Sequence, residues 1–171
     1  MEPILDKARA AQNALERLVN AVPGFKGYRE RELRRDADRL HREHLAARLE
    51  GGKKALNELA DQATRRGALD AINDVEAARK RLERAAARLR HAERGYSGFF
   101  DAMKVDEALL ARVYEHDLSL LDAVDAARAA AGAARTAPPA DAGPALRALI
   151  GQIERLDERL DEREAILRGV K

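Results

Sequence analysis

Side chains suited to chemistry are sparse in this 171-residue chain. Asp38, His41 and His44 are spaced i, i+3, i+6. On a helix they would share about a third of the circumference, close enough for two or three to touch one ion. The spacing is weak support for a metal. The chain has no Glu-x-x-His pair and no His-Glu-x-x-His, the spacings that place ligands on one helical face in di-iron and zinc sites. His41 and His44 are therefore read as a surface residue and a seam residue, and no metal is assigned. Asp117 lies among Val113, Tyr114, Leu120 and Leu121. A carboxylate on an apolar face is costly unless paired, so the expectation is an Arg or a Tyr from a neighbouring helix. His116 adjoins it, but consecutive helical residues point about 100° apart, so Glu115-His116-Asp117 is not a catalytic triad. The chain has two serines, Ser97 and Ser119, and no phosphate loop, dinucleotide fingerprint or nucleophile elbow. We expect no enzyme, no catalytic residues, no cofactor and no small-molecule substrate.

The aromatic residues form the most informative constellation. Of six, five lie in or beside two loops: Phe25 and Tyr28 in the first, Tyr96, Phe99 and Phe100 in the second. Each loop carries paired glycines, Gly24-x-x-Gly27 and Gly95-x-x-Gly98, which permit close backbone approach. In an up-down arrangement both loops fall at one end. Rings there act either as a small satellite core or as a partner-binding patch with some rings exposed.

Charge is dense but balanced, 36% of residues with a net of +2. Residues 79–94 carry seven basic side chains against Glu83 and Glu93, and residues 101–125 carry seven acidic ones against Lys104 and Arg112. The simplest expectation is that these two segments are helices that pack side by side and attract each other. The alternative is a nucleic-acid footprint using Arg81, Arg84 and Arg88. Interleaved acids weaken that alternative, and no helix-turn-helix is evident.

Holding these residues are elements read from apolar spacing. The chain has 36 Ala and 22 Leu and no Cys or Trp, a composition typical of long helices. Zero Cys excludes disulfides, thiol catalysis and iron–sulfur clusters. No apolar run nears the roughly 18 residues that span a bilayer, and the start resembles no signal peptide; the expected location is the cytoplasm. A first helix runs through Leu5, Leu15, Leu18 and Val22 and stops at Pro23-Gly24. A long second helix starts near Tyr28 and is expected to continue to about Arg66, with a kink where Gly51-Gly52 falls. Its stripe, Leu33, Ala37, Leu40, His44, shifts phase at Leu45. Arg65-Arg66-Gly67 is its stop. A third helix reaches Arg94, a fourth runs from about Asp106 to Arg135, and a fifth begins at Pro144.

The fold class expected is all-α: an antiparallel helical bundle or coiled-coil hairpin of about five helices in one domain, residues 1–171. Residues 1–136 would form a four-helix part with a hairpin arm near 45–80, followed by a linker over 137–143 and a C-terminal helix over 144–171. Val75, Leu82, Leu89, Ile153, Leu156 and Leu160 should be core. The long-hairpin outline resembles bacterial stress-response coiled coils of the phage-shock type in shape only, which implies a stress-related role. The function expected is a non-enzymatic scaffold or adaptor that binds a protein partner or itself, with Phe25, Tyr28, Tyr96, Phe99 and Phe100 as the contact patch. Nucleic-acid binding and peripheral membrane association are the alternatives. The first helix lacks the cationic bias that draws a helix to anionic lipid.

Overall fold

A computed structural model describes residues 2–30, 34–91 and 107–168. It is all-α: α1 (Glu2–Ala21), α2 (Arg34–Glu50), α3 (Lys53–Arg65), α4 (Leu69–His91), α5 (Glu107–Thr136) and α6 (Ala142–Arg168), with no strand among the described residues. No helix there is long and apolar enough to cross a membrane.

Each boundary has a local cause. Pro23 and Gly24 end α1, and Gly24 (φ +81°) and Gly27 (φ +89°) take backbone angles that a side chain disfavours. Residues 22–30 then cross the fold as a non-helical segment. The second helix therefore begins later than expected: Tyr28 belongs to this connecting segment and α2 starts at Arg34. The chain breaks at Gly51-Gly52 instead of running as one helix to Arg66. Both glycines keep negative φ, so the break is one of spacing. A Cβ on Gly52 would lie 3.2 Å from Leu82 and 3.4 Å from Ala131. The turn is wedged between α4 and α5, where only a bare backbone fits well. α3 ends as expected at Gly67, with φ +66°. The Ala68 N–H donates to the Ala63 carbonyl at 3.0 Å and the Gly67 N–H to Thr64 at 3.0 Å, which is the Schellman arrangement.

The helices meet along defined registers. Arg42 and Gly52 meet Leu89 and Leu82 of α4, so residue numbers fall on one side as they rise on the other. Arg48, Gly52 and Glu58 meet Asp125, Ala131 and Arg135 of α5, with numbers rising together. α5 is the central rod, in contact with α1, α2, α3 and α6. Its last turns bury Ala127, Ala131 and Ala134; small side chains there let α3 approach closely. The segment 45–80 holds the end of α2, all of α3 and the first half of α4, with α3 and α4 joined near Gly67, and most of its length is packed: Leu45, Leu56, Leu59 and Val75 share one cluster with residues of α5 and α6. Only the tip is open, and Leu69 is 73% exposed there.

Burial forms two apolar clusters. The larger joins α3, α4 and most of α5 and α6 with the second half of α2, and it includes Val75, Leu82, Leu89, Ile153, Leu156 and Leu160. The smaller joins α1 and the 22–30 segment with Ala37, Val113, Tyr114 and Leu167. Between them each contributing helix places polar residues. α2 passes from Ala37 through Asp38, His41 and Arg42 to Leu45; α5 passes from Tyr114 through Asp117 to Leu120; α6 passes from Leu160 through Arg163 to Leu167.

Candidate functional site

This polar layer is the cluster of chemistry-bearing groups that the fold brings together. Asp38, His41, Arg42, Asp117 and Arg163 are each 2% exposed or less. α2, α5 and α6 supply these side chains at seam positions, so packing of the flanking leucines sets their places. The 22–30 segment adds Tyr28, buried like the rest.

Asp117 is the hub. Its Oδ1 accepts from Arg163 Nε at 2.6 Å, and its Oδ2 accepts from the Tyr28 hydroxyl at 2.5 Å and from Arg163 Nη2 at 3.3 Å. Arg163 Nη2 also reaches Asp38 Oδ1 at 2.8 Å, and the other Asp38 oxygen accepts from Arg42 Nε at 2.8 Å. Two guanidinium groups thus face two carboxyl groups, the matching that makes burial of such charges tolerable. Arg42 does a second job: its Nη1 donates to the Leu89 and Arg90 carbonyls at 3.0 Å each. Those carbonyls lie in the last turn of α4, where helical partners run out. Arg34 Nε likewise donates to the Tyr28 carbonyl at 2.7 Å, and the Tyr28 N–H donates to the Tyr114 hydroxyl at 2.8 Å.

Charge states follow from these contacts. Burial raises the Asp117 carboxyl, but the nearby Arg163 guanidinium outweighs it, aided by His41 and by Arg163 and Tyr28 hydrogen bonds, and the group sits below its usual value. Burial and the Asp117 charge push the Tyr28 hydroxyl well up, so it stays protonated and donates. Burial opposes the charge on Arg163, yet Asp117 and Asp38 hold it firmly cationic. Burial depresses His41 and favours the neutral ring.

The sequence expectations sort against this geometry. Asp117 is paired with both an Arg and a Tyr. Phe25 and Tyr28 do come together, edge to face at 5.3 Å, and Tyr28 stacks on Tyr114 at 5.6 Å. They are 2% and 1% exposed, so they are core rings and offer no surface to a partner. Tyr96, Phe99 and Phe100 lie outside the described residues. Asp38, His41 and His44 do not converge: Asp38 turns to Arg42 and Arg163, and His41 lies 3.9 Å from Asp117. No group of three or more His, Cys, Asp or Glu among the described residues could hold a metal.

The charge expectation requires a correction. Arg81 and Arg88 of the basic α4 pair with α6 and Arg90 pairs with Glu50 of α2, and no ion pair links α4 to α5 among the described residues. Arg81 meets Glu154 at 2.6 Å, and Arg88 meets Asp157 at 3.2 Å, Glu164 at 3.7 Å and Asp161. Arg84 alone of the three candidate nucleic-acid residues is exposed with no ion pair among the described residues. The α5 acids instead meet Arg48 of α2, Arg17 of α1 and Arg163 of α6.

Sequence reading missed Arg163, His41 and Arg42 as partners in one layer. The signals were present: Arg163 occupies a seam position between Leu160 and Leu167, and the α2 phase shift marks where polar residues replace the stripe. The true buried row of α2 is Ala37, Asp38, His41, Leu45, with Leu40 and His44 only half-buried.

Chemically the layer can orient and lock, and its side chains are buried among the described residues. An open groove of about 270 Å³ lies elsewhere, between the Gly51-Gly52 turn and α5, lined by Lys54, Arg128 and Arg135 among others. No protein-family model matches the chain, and no curated protein or solved structure matches it.

Proposed function

We propose that the chain is a non-enzymatic scaffold or adaptor, an antiparallel helical bundle that works by presenting helix surfaces to a protein partner or a second copy. The observation that carries this reading is the burial of the titratable cluster. Apart from His41, its acids, guanidiniums and phenol are spent on one another, and the whole cluster lies inside the fold, away from a reacting molecule. The falling register of α2 and α3 against α4 supports the antiparallel arrangement. The pairing of Arg81 and Arg88 with α6 acids favours protein contact over nucleic acid, because those charges are already neutralised.

The contact point favoured is the hairpin tip. Leu69 is 73% exposed beside exposed Arg65 and Arg66, with Ile72 half-buried one turn on. Of the two exposed large apolar side chains among the described residues, Val19 and Leu69, Leu69 is the more exposed, which makes the tip the surface to test. Light scattering of the purified chain and of Leu69→Glu tests the reading. The expected result is a defined oligomer that modest salt leaves intact and that Leu69→Glu disperses without loss of helicity. A monomer that binds DNA with a steep salt dependence, abolished by Arg84→Glu, would overturn it in favour of nucleic acid.

A further inference from the structure

His41 is the one member of the polar layer that the network does not use. Neither ring nitrogen makes a hydrogen bond among the described residues, and the ring is fully buried. The charged and titratable groups acting on it are Asp38 and His44 from α2, Asp117 from α5 and Arg163 from α6, and the 22–30 segment sets the Phe25 ring against it. Its nearest acid, Asp117 Oδ2 at 3.9 Å, already accepts from Tyr28 and Arg163. The buried Phe25 ring lies against it, 5.9 Å between centroids.

We infer that His41 makes this layer an acid-sensitive latch, which holds α1 and residues 22–30 closed while the imidazole is neutral and lets them lift when it is protonated. A proton on His41 adds a third cation to a layer that matches two guanidiniums with two carboxyl groups. That cation must find water. The easiest opening is on the Phe25 and Tyr28 side, for two reasons. The 22–30 segment turns at Gly24 and Gly27, and α1 rests chiefly on α5. The α2, α5 and α6 sides are walled by the larger core. Lifting would uncover the apolar face of α5 around Val113 and Tyr114, which α1 and the segment now cover.

The direction follows from linkage. Burial holds the folded ring below its ordinary value of about 6.5, so the open state binds the proton more readily and closure weakens as pH falls below about that value. Each unit of depression allows up to about a tenfold loss in the closed-to-open ratio.

Hydrogen exchange of the full chain at pH 7.5 and pH 5.0, corrected for intrinsic rates, tests the latch. The expected result is that amides of α1 and residues 22–30 lose protection at the lower pH while those of α3 and α4 do not. His41→Gln should remove that difference, and His44→Gln should retain it. Should His41→Gln fail to fold, the ring titrations of the wild-type histidines by NMR decide instead. A His41 ring that titrates at its ordinary value with no change in α1 amides overturns the latch, as does an equal pH response in α1 and α3.

Discussion

At the scale of single residues, the account turns on side chains that have no polar partner to spare. Tyr28 donates its hydroxyl to a buried carboxylate, so Tyr28→Phe should lower stability by about 1.5–3 kcal/mol, the range for a hydrogen bond to a charged group. Urea unfolding checks this, with the slope unchanged if only the hydrogen bond is lost. Gly27 is constrained twice. Its φ is +89°, and a Cβ would fall 2.7 Å from the Tyr114 hydroxyl, which itself accepts from the Tyr28 N–H. Gly27→Ala should therefore cost about 1–3 kcal/mol in the same measurement, whereas Gly67→Ala, with open space around its Cβ, should lose only the backbone part, about 1 kcal/mol. Asp117 was legible as a paired carboxylate because its apolar neighbours left no other solution. Arg163 was not, because one Arg in an apolar row reads as an interruption when the facing helix is unknown.

Whole helices show where periodicity informs and where it misleads. The rows through Val75, Leu82 and Leu89, and through Ile153, Leu156 and Leu160, are buried as their spacing requires. In α2 the polar residues enter the seam, so the apolar pattern points to the wrong face and to a start at Tyr28, whose N–H and carbonyl are instead bonded to the Tyr114 hydroxyl and Arg34. The break at Gly51-Gly52 was visible as glycines but not as a break, because what fixes it is the approach of Leu82 and Ala131 from other helices. Charge blocks gave the sign of attraction without the partner: the acids that meet Arg81 and Arg88 lie on α6, about seventy residues away, and Arg90 meets Glu50 of α2, a choice that topology makes. One consequence is local to α4. Arg42→Met keeps the buried volume but strips the cap from the Leu89 and Arg90 carbonyls and leaves Asp38 a partner short. It should cost about 3–5 kcal/mol, the range for breaking a buried ion pair, and hydrogen exchange should show fraying first in the last turns of α4.

For the whole molecule, two apolar clusters joined through one charged layer give a defined response to acid. His41 is depressed, so stability falls as pH drops below its ordinary value of about 6.5. Asp117 is also depressed, so its contribution is intact above the usual carboxylate value of about 3.9 and vanishes as pH falls through the lower folded value. Loss of structure on acidification should thus come in two steps, α1 first and the larger core later, followed by circular dichroism and by exchange of α1 amides. A layer of this kind also fixes register, since sliding any of α2, α5 or α6 by one turn would strand a buried charge.

That layer is the premise on which the scaffold reading and the latch both stand, and a double-mutant cycle between Asp117 and Arg163 measures it directly. Asp117→Asn, Arg163→Met and the double variant are compared by urea unfolding. Mutual dependence across this pair predicts a coupling of at least about 1.5 kcal/mol, with the double variant losing less than the sum of the two single losses. Additive losses, within about 0.5 kcal/mol, would mean that the two groups do not rely on each other and would contradict the account.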